Sequence, residues 1–308
     1  MSLSRSSTTG TDPLSDVLIV LGARTIRRTR LEASGDWALT FPARARLKFV
    51  ALVRGECSVF LPDQPPQPLA EGDVFLIGDM PYTVASRADV TPVEGTRLYA
   101  NVDVVRLGGD DVVLLGGGIA FTDSAVGFLL DALPPFLHIE RISSSAVAVT
   151  RTLDLLDAEV GQGRMGETLV TMRLAELLLV EAIRAYVNER GASCVGWIAA
   201  LGDRQIGAAL RLMHRAVKYP WTVGSLAAQV GMSRSAFSAR FMRLVGRPPL
   251  DYLTHWRMVL ARKLLREQKA DVANIAFSVG YSSQSAFSHA FKRTFGHSPK
   301  RSRLLLTD

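Results

Sequence analysis

The sequence predicts an α+β protein of more than one domain: a β-rich first part, a helical middle and an all-α last third. Three observations carry this. Short apolar runs broken by Gly, Pro and Asp from Leu14 to about Pro135 give way, from Ser143 onward, to apolar positions at helical spacing. One stretch of the last third occurs twice. Charge is divided along the chain, because residues 204–308 carry 18 Lys/Arg against Asp251, Glu267, Asp271 and Asp308, a net +14. The total is +7, so the first 203 residues stand at −7. A mildly acidic body joined to a strongly basic end points to a polyanion as partner of the end alone.

Composition bounds the rest. At roughly 150 residues per domain, 308 residues make about two domains. With 48% hydrophobic and 21% charged residues the chain is neither disordered nor collagen-like. Two cysteines exclude a disulfide scaffold, and Cys57 and Cys194 are expected to be reduced. Residues 1–13 are Ser/Thr-rich without an apolar core, which argues against a signal peptide. No stretch approaches the roughly 20 apolar residues of a membrane helix, Val112–Phe121 being the most apolar uncharged run. A soluble, cytoplasmic protein without a membrane partner is expected.

The β-rich part holds the runs Val17–Leu21, Phe49–Val53, Ser58–Leu61, Val74–Ile77 and Val112–Leu115, a spacing that suits a sandwich or small barrel. Gly116-Gly117-Gly118 lacks the Lys-Ser/Thr of a phosphate-binding loop and reads as a flexible turn. Two helices follow, one with Val149, Leu153, Leu156 and Val160 on a face and one with Leu169, Met172, Leu179, Ile183 and Tyr186, separated by Gly161–Gly166. Leu177–Val180 widens the second stripe beyond what one partner covers. That helix is deep core or half of a dimer interface.

The repeat is the sharpest signal. Leu226–Ser233 matches Ile275–Ser282 at an offset of 49, and after one inserted residue Ser235–Ser238, Phe241, Gly246 and Pro249 match Ser285–Ser288, Phe291, Gly296 and Pro299 at 50. Each copy reads as helix, tight turn, helix. Gly231 and Gly280 stand where the chain leaves the first helix, a position that often needs positive φ. Ser233, and Ser282 or Ser283, can cap the second helix, one face of which is buried by Phe237/Phe241 or Phe287/Phe291. Outward are Arg234, Ser235, Ser238, Ala239, Met242 and Arg243 in one copy and Gln284, Ser285, Ser288, His289, Lys292 and Arg293 in the other. This is a helix-turn-helix layout, whose second helix enters the major groove. Pro249 can open a connecting helix to Arg266 with Leu253, Trp256, Leu260 and Leu264 inward. Its 18 residues span about 27 Å, short of the ~34 Å groove repeat, so a tilted reading helix or bent DNA is expected.

Trp221–Ala227, Val230–Phe237, Tyr252–Met258, Ile275-Ala276, Val279-Gly280-Tyr281, Phe287–Arg293 and Gly296–Pro299 together resemble the AraC/XylS family of bacterial transcription regulators. Gly72-Asp73 before Val74–Ile77, the two helices after the β-rich part, and Gly196–Leu201 resemble the subfamily with a cupin-type sensor. The resemblance implies an N-terminal cupin-like β-barrel, a helical dimerisation segment and a C-terminal all-α domain with two helix-turn-helix units. The expected division is a disordered tail at 1–13, a sensor at 14–135, the dimerisation and linker segment at 136–203 and the DNA-binding domain at 204–305, its units at about 222–245 and 271–295. It implies an activator in dimeric form, with promoter half-sites, a small effector and RNA polymerase as partners. Ala239 and His289 stand where relatives often carry an arginine, which removes a partner for guanine; Arg234, Arg240 or Arg243 can compensate through phosphates. Ser302 replaces an aromatic after the Pro299 turn.

Arg234, Ser235, Ser238, Ala239, Arg243, Gln284, Ser285, Ser288, His289 and Lys292 are therefore the candidate DNA contacts, and Trp37, Arg44, Arg46, Arg54 and Arg97 the candidates for an effector, anionic if the arginines face it. No cofactor, metal or catalytic residue is expected. The five histidines are His138, His214, His255, His289 and His297, none within 14–135, so the usual metal site of cupin enzymes is missing, and a site from Glu56, Glu71 and Asp73 is disfavoured. Two alternatives stand: a redox-responsive regulator using Cys57, disfavoured by the neighbouring Glu56, and a cupin-like small-molecule enzyme.

Overall fold

The computed structural model describes residues 12–44, 46–121, 124–160, 163–190, 196–267 and 271–304. In chain order these form helix α1 (Pro13–Leu21), strands β1 (Ala23–Ala33), β2 (Ala38–Phe41), β3 (Leu47–Arg54), β4 (Glu56–Phe60), β5 (Gln67–Ala70), β6 (Val74–Ile77), β7 (Tyr82–Ala85) and β8 (Val93–Glu94), and the short helix α2 (Gly95–Leu98). Strands β9 (Val104–Leu107) and β10 (Val112–Phe121), a 3-10 turn (Ser124–Val126) running into α3 (Gly127–Leu130), and β11 (Phe136–Ile139) follow. Then come α4 (Val147–Glu159), α5 (Glu167–Arg190), α6 (Trp197–Ala200), α7 (Arg204–Arg215), α8 (Val223–Gln229), α9 (Arg234–Val245), α10 (Pro249–Arg266), α11 (Val272–Ser278), α12 (Gln284–Phe295) and α13 (Pro299–Leu304). The chain divides into a sheet unit, residues 23–121 with 133–190, and a helical unit, residues 1–22 with 122–132 and 191–308.

The sheet unit has a six-stranded sheet in the order β11-β6-β3-β10-β1-β9 and a five-stranded one in the order β5-β4-β7-β2-β8. Alternation puts Leu31 of β1, Leu52 of β3 and Leu114 of β10 on the inward face of the first, where they share one apolar cluster with Leu39, Val59 and Val84 of the second. Helices α4 and α5 are part of the same unit. Thr25 donates to the Met172 carbonyl at 3.4 Å, Arg30 pairs with Asp157 at 2.9 Å, and Arg28 donates to the Thr171 hydroxyl. The wide stripe of α5 is core only in part: Ala175, Leu178, Leu179, Ala182 and Ile183 are buried, while Leu169, Val170 and Leu177 stay exposed.

Gly116-Gly117-Gly118 is not a turn. It lies inside β10, paired on one side with β1 and on the other with β3, Gly117 opposite Phe49. A Cβ on Gly117 would overlap the Phe49 ring. The missing side chains make room for neighbours within a central strand, which punctuation by glycine alone does not reveal.

Val17–Leu21 is likewise not a strand but the end of α1, and it belongs to the helical unit. The Asp12 carboxylate accepts the Leu14 and Ser15 N–H groups, Pro13 occupies the first turn, and Gly22 closes the helix in the left-handed region. Leu14, Val17, Val20 and Leu21 are its buried face, a 3.6-residue period that five consecutive apolar residues conceal.

In the helical unit Phe128 of α3 has the rings of Trp197, Tyr252 and Trp256 at 5.6, 5.5 and 5.9 Å, and its carbonyl accepts the Trp197 indole N–H at 2.9 Å. Around this aromatic centre α7 and the connector α10 are tied by His214, whose Nε2 lies 2.8 Å from the Tyr252 hydroxyl and whose Nδ1 lies 3.3 Å from the Asp16 carboxylate of α1. The connector runs over the expected Pro249–Arg266, with Leu253 and Trp256 buried and Leu260 and Leu264 partly so. Ser302 is buried on α13, its hydroxyl without a partner.

Candidate DNA-reading helices and ligand cavity

The two copies of the repeat fold alike. Thr222 and Ser225 form a capping box on α8, Asp271 caps α11, and the second helices are capped by Ser233 and by Ser283, which settles the choice between Ser282 and Ser283. From Ser233 to Leu244 and from Ser283 to Thr294 the order of exposed, half-buried and buried residues is identical position by position. Phe237 and Phe241 are fully buried with rings 5.6 Å apart, Phe287 and Phe291 with rings 5.7 Å apart. That anchorage fixes the opposite face of each helix outward.

On that face Arg234, Ser235, Ala239 and Arg243 of α9 and Gln284, Ser285, His289 and Lys292 of α12 are exposed, while Ser238 and Ser288 are half-buried. Neither helix contains a carboxylate, and neither Arg243 nor Lys292 has an ion pair among the described residues. Arg240 is different. Its guanidinium is held by the Asp203 carboxylate at 2.6 Å and the Gln205 side chain at 3.2 Å, so it clamps α9 to the start of α7 rather than standing free for phosphate. Burial alone would raise the Asp203 carboxyl, but the N–H of Ile206 and the Arg240 guanidinium hold it below the usual value.

The sheet unit contains a cavity of about 180 Å³ with β1, β2, β3, β7 and β10 in its wall. Of the effector candidates, Arg44 and Arg46 line it. Trp37 does not: it is buried in the apolar cluster, with its indole nitrogen unpartnered. Arg54 is paired with Asp110 at 2.8 Å and Arg97 with Glu94 at 2.6 Å, both away from the wall. Lys48, Tyr82, Tyr99 and the three glycines of β10 were not among the effector candidates of the sequence, yet all are in it. For Lys48 a signal existed, since it alternates with Val50 along β3, two residues after Arg46, and so shares one face with Val50.

Other candidates resolve as structural. Cys57 is buried, and burial, with the charge of Asp73 second, pushes its thiol up to about 12, which removes the thiolate a redox sensor requires. Cys194 lies outside the described residues. Asp73 accepts the Ala70 and Arg141 N–H groups at 3.0 and 2.9 Å and lies 3.1 Å from His138, which β11 adds to the sheet unit beyond residue 135. Burial works to raise the Asp73 carboxyl; these bonds keep it low. Among the described residues no cluster of three His, Cys, Asp or Glu could hold a metal ion, and no helix is long and apolar enough to cross a membrane.

A family described as a cupin matches residues 12–188, and one described as a helix-turn-helix domain matches residues 226–304. The chain is similar to a putative AraC-like transcription regulator of Streptomyces antibioticus, 41% identical over 293 residues that cover 94% of this chain and 97% of the relative. It is 31% identical over 287 residues to the transcriptional regulator AlkR of Acinetobacter baylyi, covering 89% and 92%. Among solved structures, the DNA-binding domain of AdpA in complex with a target DNA is 30% identical and covers 34% of this chain and 93% of its own, with a TM-score of 0.32.

Proposed function

The chain belongs to the AraC-like transcription regulators that carry a cupin domain ahead of a helix-turn-helix DNA-binding domain, and from that premise we propose that a small molecule bound in its sheet unit sets how α9 and α12 occupy two successive half-sites of a promoter. The observation that carries the reading is the pair of helix faces with the same burial pattern, anchored by equivalent phenylalanine pairs and free of carboxylates, in a part of the chain with net charge +14. Phosphate contacts supply affinity. Gln284, Ser285 and His289, with Ser235 and Ala239 in the first copy, face base edges.

An effector could act through chain continuity. Strands β1 and β10 border the cavity, and α1 runs directly into β1 while β10 leads to the 3-10 turn and α3. Both α1 and α3 pack in the helical unit, α1 on α10 and α7, α3 on α10. A ligand that shifts β1 or β10 thus biases elements touching the connector between the reading helices. The protein acts by binding rather than catalysis, in the cytoplasm, as a homodimer that recruits RNA polymerase; an activating role fits the family.

Selection of genomic fragments by the full-length protein, followed by titration at several salt concentrations, tests this. A steep linear fall of log K with log[salt] is expected, and Arg243→Gln or Lys292→Gln should each lower the slope by about one with little change in preferred sequence. Gln284→Ala should relax preference at one base pair, at about 1–3 kcal/mol. Arg240→Gln should instead lower the unfolding midpoint. No salt dependence, or equal effects of Arg240→Gln and Arg243→Gln on the slope, would overturn the assignment of faces.

A further inference from the structure

We infer that the cavity of the sheet unit is a receptor for a compact organic carboxylate, an apolar body of about one ring whose charged head is met by Lys48 and Arg46 with Arg44 beside them. The inference rests on the reading of the sheet unit as the sensor and names what it senses.

Size comes first. An apolar cavity of about 150 Å³ admits benzene, and this one is about 180 Å³. Its space comes from Gly116 and Gly118, which stand opposite Val50 and Lys48 across the β10–β3 ladder and on the same face as the inward Leu114. Neither contributes a side chain to the wall, and a Cβ on Gly116 would lie 2.7 Å from the Thr29 hydroxyl, which also lines the cavity.

The charge is distributed along one strand. Arg44 and Arg46 precede β3, Lys48 is its first residue on the cavity face, and the next residues on that face are Val50 and Leu52. One end of the wall is therefore cationic and the continuation apolar. Leu39, Phe41 and Val84 from the facing sheet complete the apolar part. Among the described residues no Asp or Glu lines the cavity, and Arg44, Arg46 and Lys48 have no ion pair. The fourth cation, Arg27, is already engaged with Asp103 at 3.2 Å and the Val102 carbonyl at 2.8 Å.

Holding three free cations together at a partly buried wall is unfavourable without an anion. Lys48 shows the strain. Its ammonium lies 4.8 Å from the Phe41 ring and 5.0 Å from that of Tyr82, the attraction that an aromatic face offers a cation. Burial first, then Arg46 and Arg44, still pull its pKa to about 8. The Arg46 Nε is fully buried with no hydrogen-bond partner, a donor that folding leaves unmet. A carboxylate satisfies both groups and offsets the burial and like-charge repulsion that lower the Lys48 pKa. A neutral ligand of the same shape leaves all three charges unanswered, and inorganic phosphate leaves the apolar wall empty.

Full-length protein titrated by calorimetry with benzoate and hexanoate, with benzamide and hexanamide, and with inorganic phosphate decides the matter. At least one carboxylate should bind, and its amide should bind about tenfold more weakly or worse. Lys48→Met and, separately, Arg46→Gln should each bring carboxylate affinity down about tenfold, toward that of the amide; cooperative unfolding of each variant checks that it folds. Equal binding of acid and amide, failure of both carboxylates to bind at millimolar concentration, preferred binding of phosphate, or indifference to both substitutions overturns the inference. A second readout separates it from the sensor reading. If amides bind and alter promoter affinity, the cavity senses but not carboxylates; if carboxylates bind and promoter affinity does not change, the receptor stands and the sensor reading falls.

Discussion

Two histidines show how burial governs single groups. His214 has a fully buried side chain, and burial pushes its imidazole below the usual value of about 6.5 although Asp16 pulls the other way; burial, with Arg247 second, does the same to His255. Arg247 donates to the His255 ring at 2.6 Å, which requires that nitrogen to be unprotonated. Both groups are neutral in the folded protein at pH 7, whereas unfolded histidine takes up a proton near pH 6.5. The unfolded state therefore binds more protons below that value, so stability is fully present above about pH 6.5 and declines as pH falls, by up to about 1.4 kcal/mol per pH unit for each group. Urea midpoints measured from pH 8 to pH 5 should show this fall, and His214→Gln should reduce it. A flat profile would mean that His214 is protonated against Asp16.

Elements add what residues lack, namely context. Gly231 and Gly280 occupy the same place in the two helix-turn-helix copies, with φ of 67° and 86°. An alanine at either is strained by the left-handed backbone, at about 1–2 kcal/mol. At Gly231 the added Cβ meets open space, but at Gly280 it would lie 2.9 Å from the Lys218 carbonyl oxygen. Gly280→Ala should therefore destabilise more than Gly231→Ala in denaturant unfolding, and should weaken DNA binding by displacing α12. Equal losses would show that φ alone matters. The repeat itself was legible because two identical solutions to one packing problem leave identical residues in register. Helix α1 was hidden by a run of apolar residues compatible with strand or helix, although Asp12-Pro13 ahead of it and Gly22 behind are its caps. Strand β10 was hidden by three glycines that ordinarily punctuate a chain.

For the whole molecule, the distribution of charge and of apolar surface assigns separate tasks. Leu155 of α4 and Leu169, Val170 and Leu177 of α5 remain exposed while Ala175, Leu178, Leu179, Ala182 and Ile183 of α5 are core. If a second copy covers them, Leu169→Glu with Leu177→Glu should convert dimer to monomer in sedimentation without changing the unfolding midpoint, whereas Leu178→Glu should prevent folding. A monomeric wild type would remove this face from the account. The sequence suggests a cut at residue 203 between sensor and reader. The structure advises against it, because α1 and the segment 124–132 precede that point yet pack in the helical unit, Phe128 within the aromatic centre and Asp16 beside His214.

By itself the sequence determined the order of the parts, the duplicated reading unit with its caps and connector, and the charge split that assigns the polyanion to the last third. These depend on neighbours a few residues apart, or on sums over many residues, which a linear string preserves. Tertiary structure alone decided which arginines face the cavity and which are spent on Asp110, Glu94 or Asp203, and that the three glycines of β10 line the cavity beside Lys48. Those outcomes depend on strand register and on side chains brought together from distant positions, and a cavity is defined by atoms that are absent, which no local pattern records.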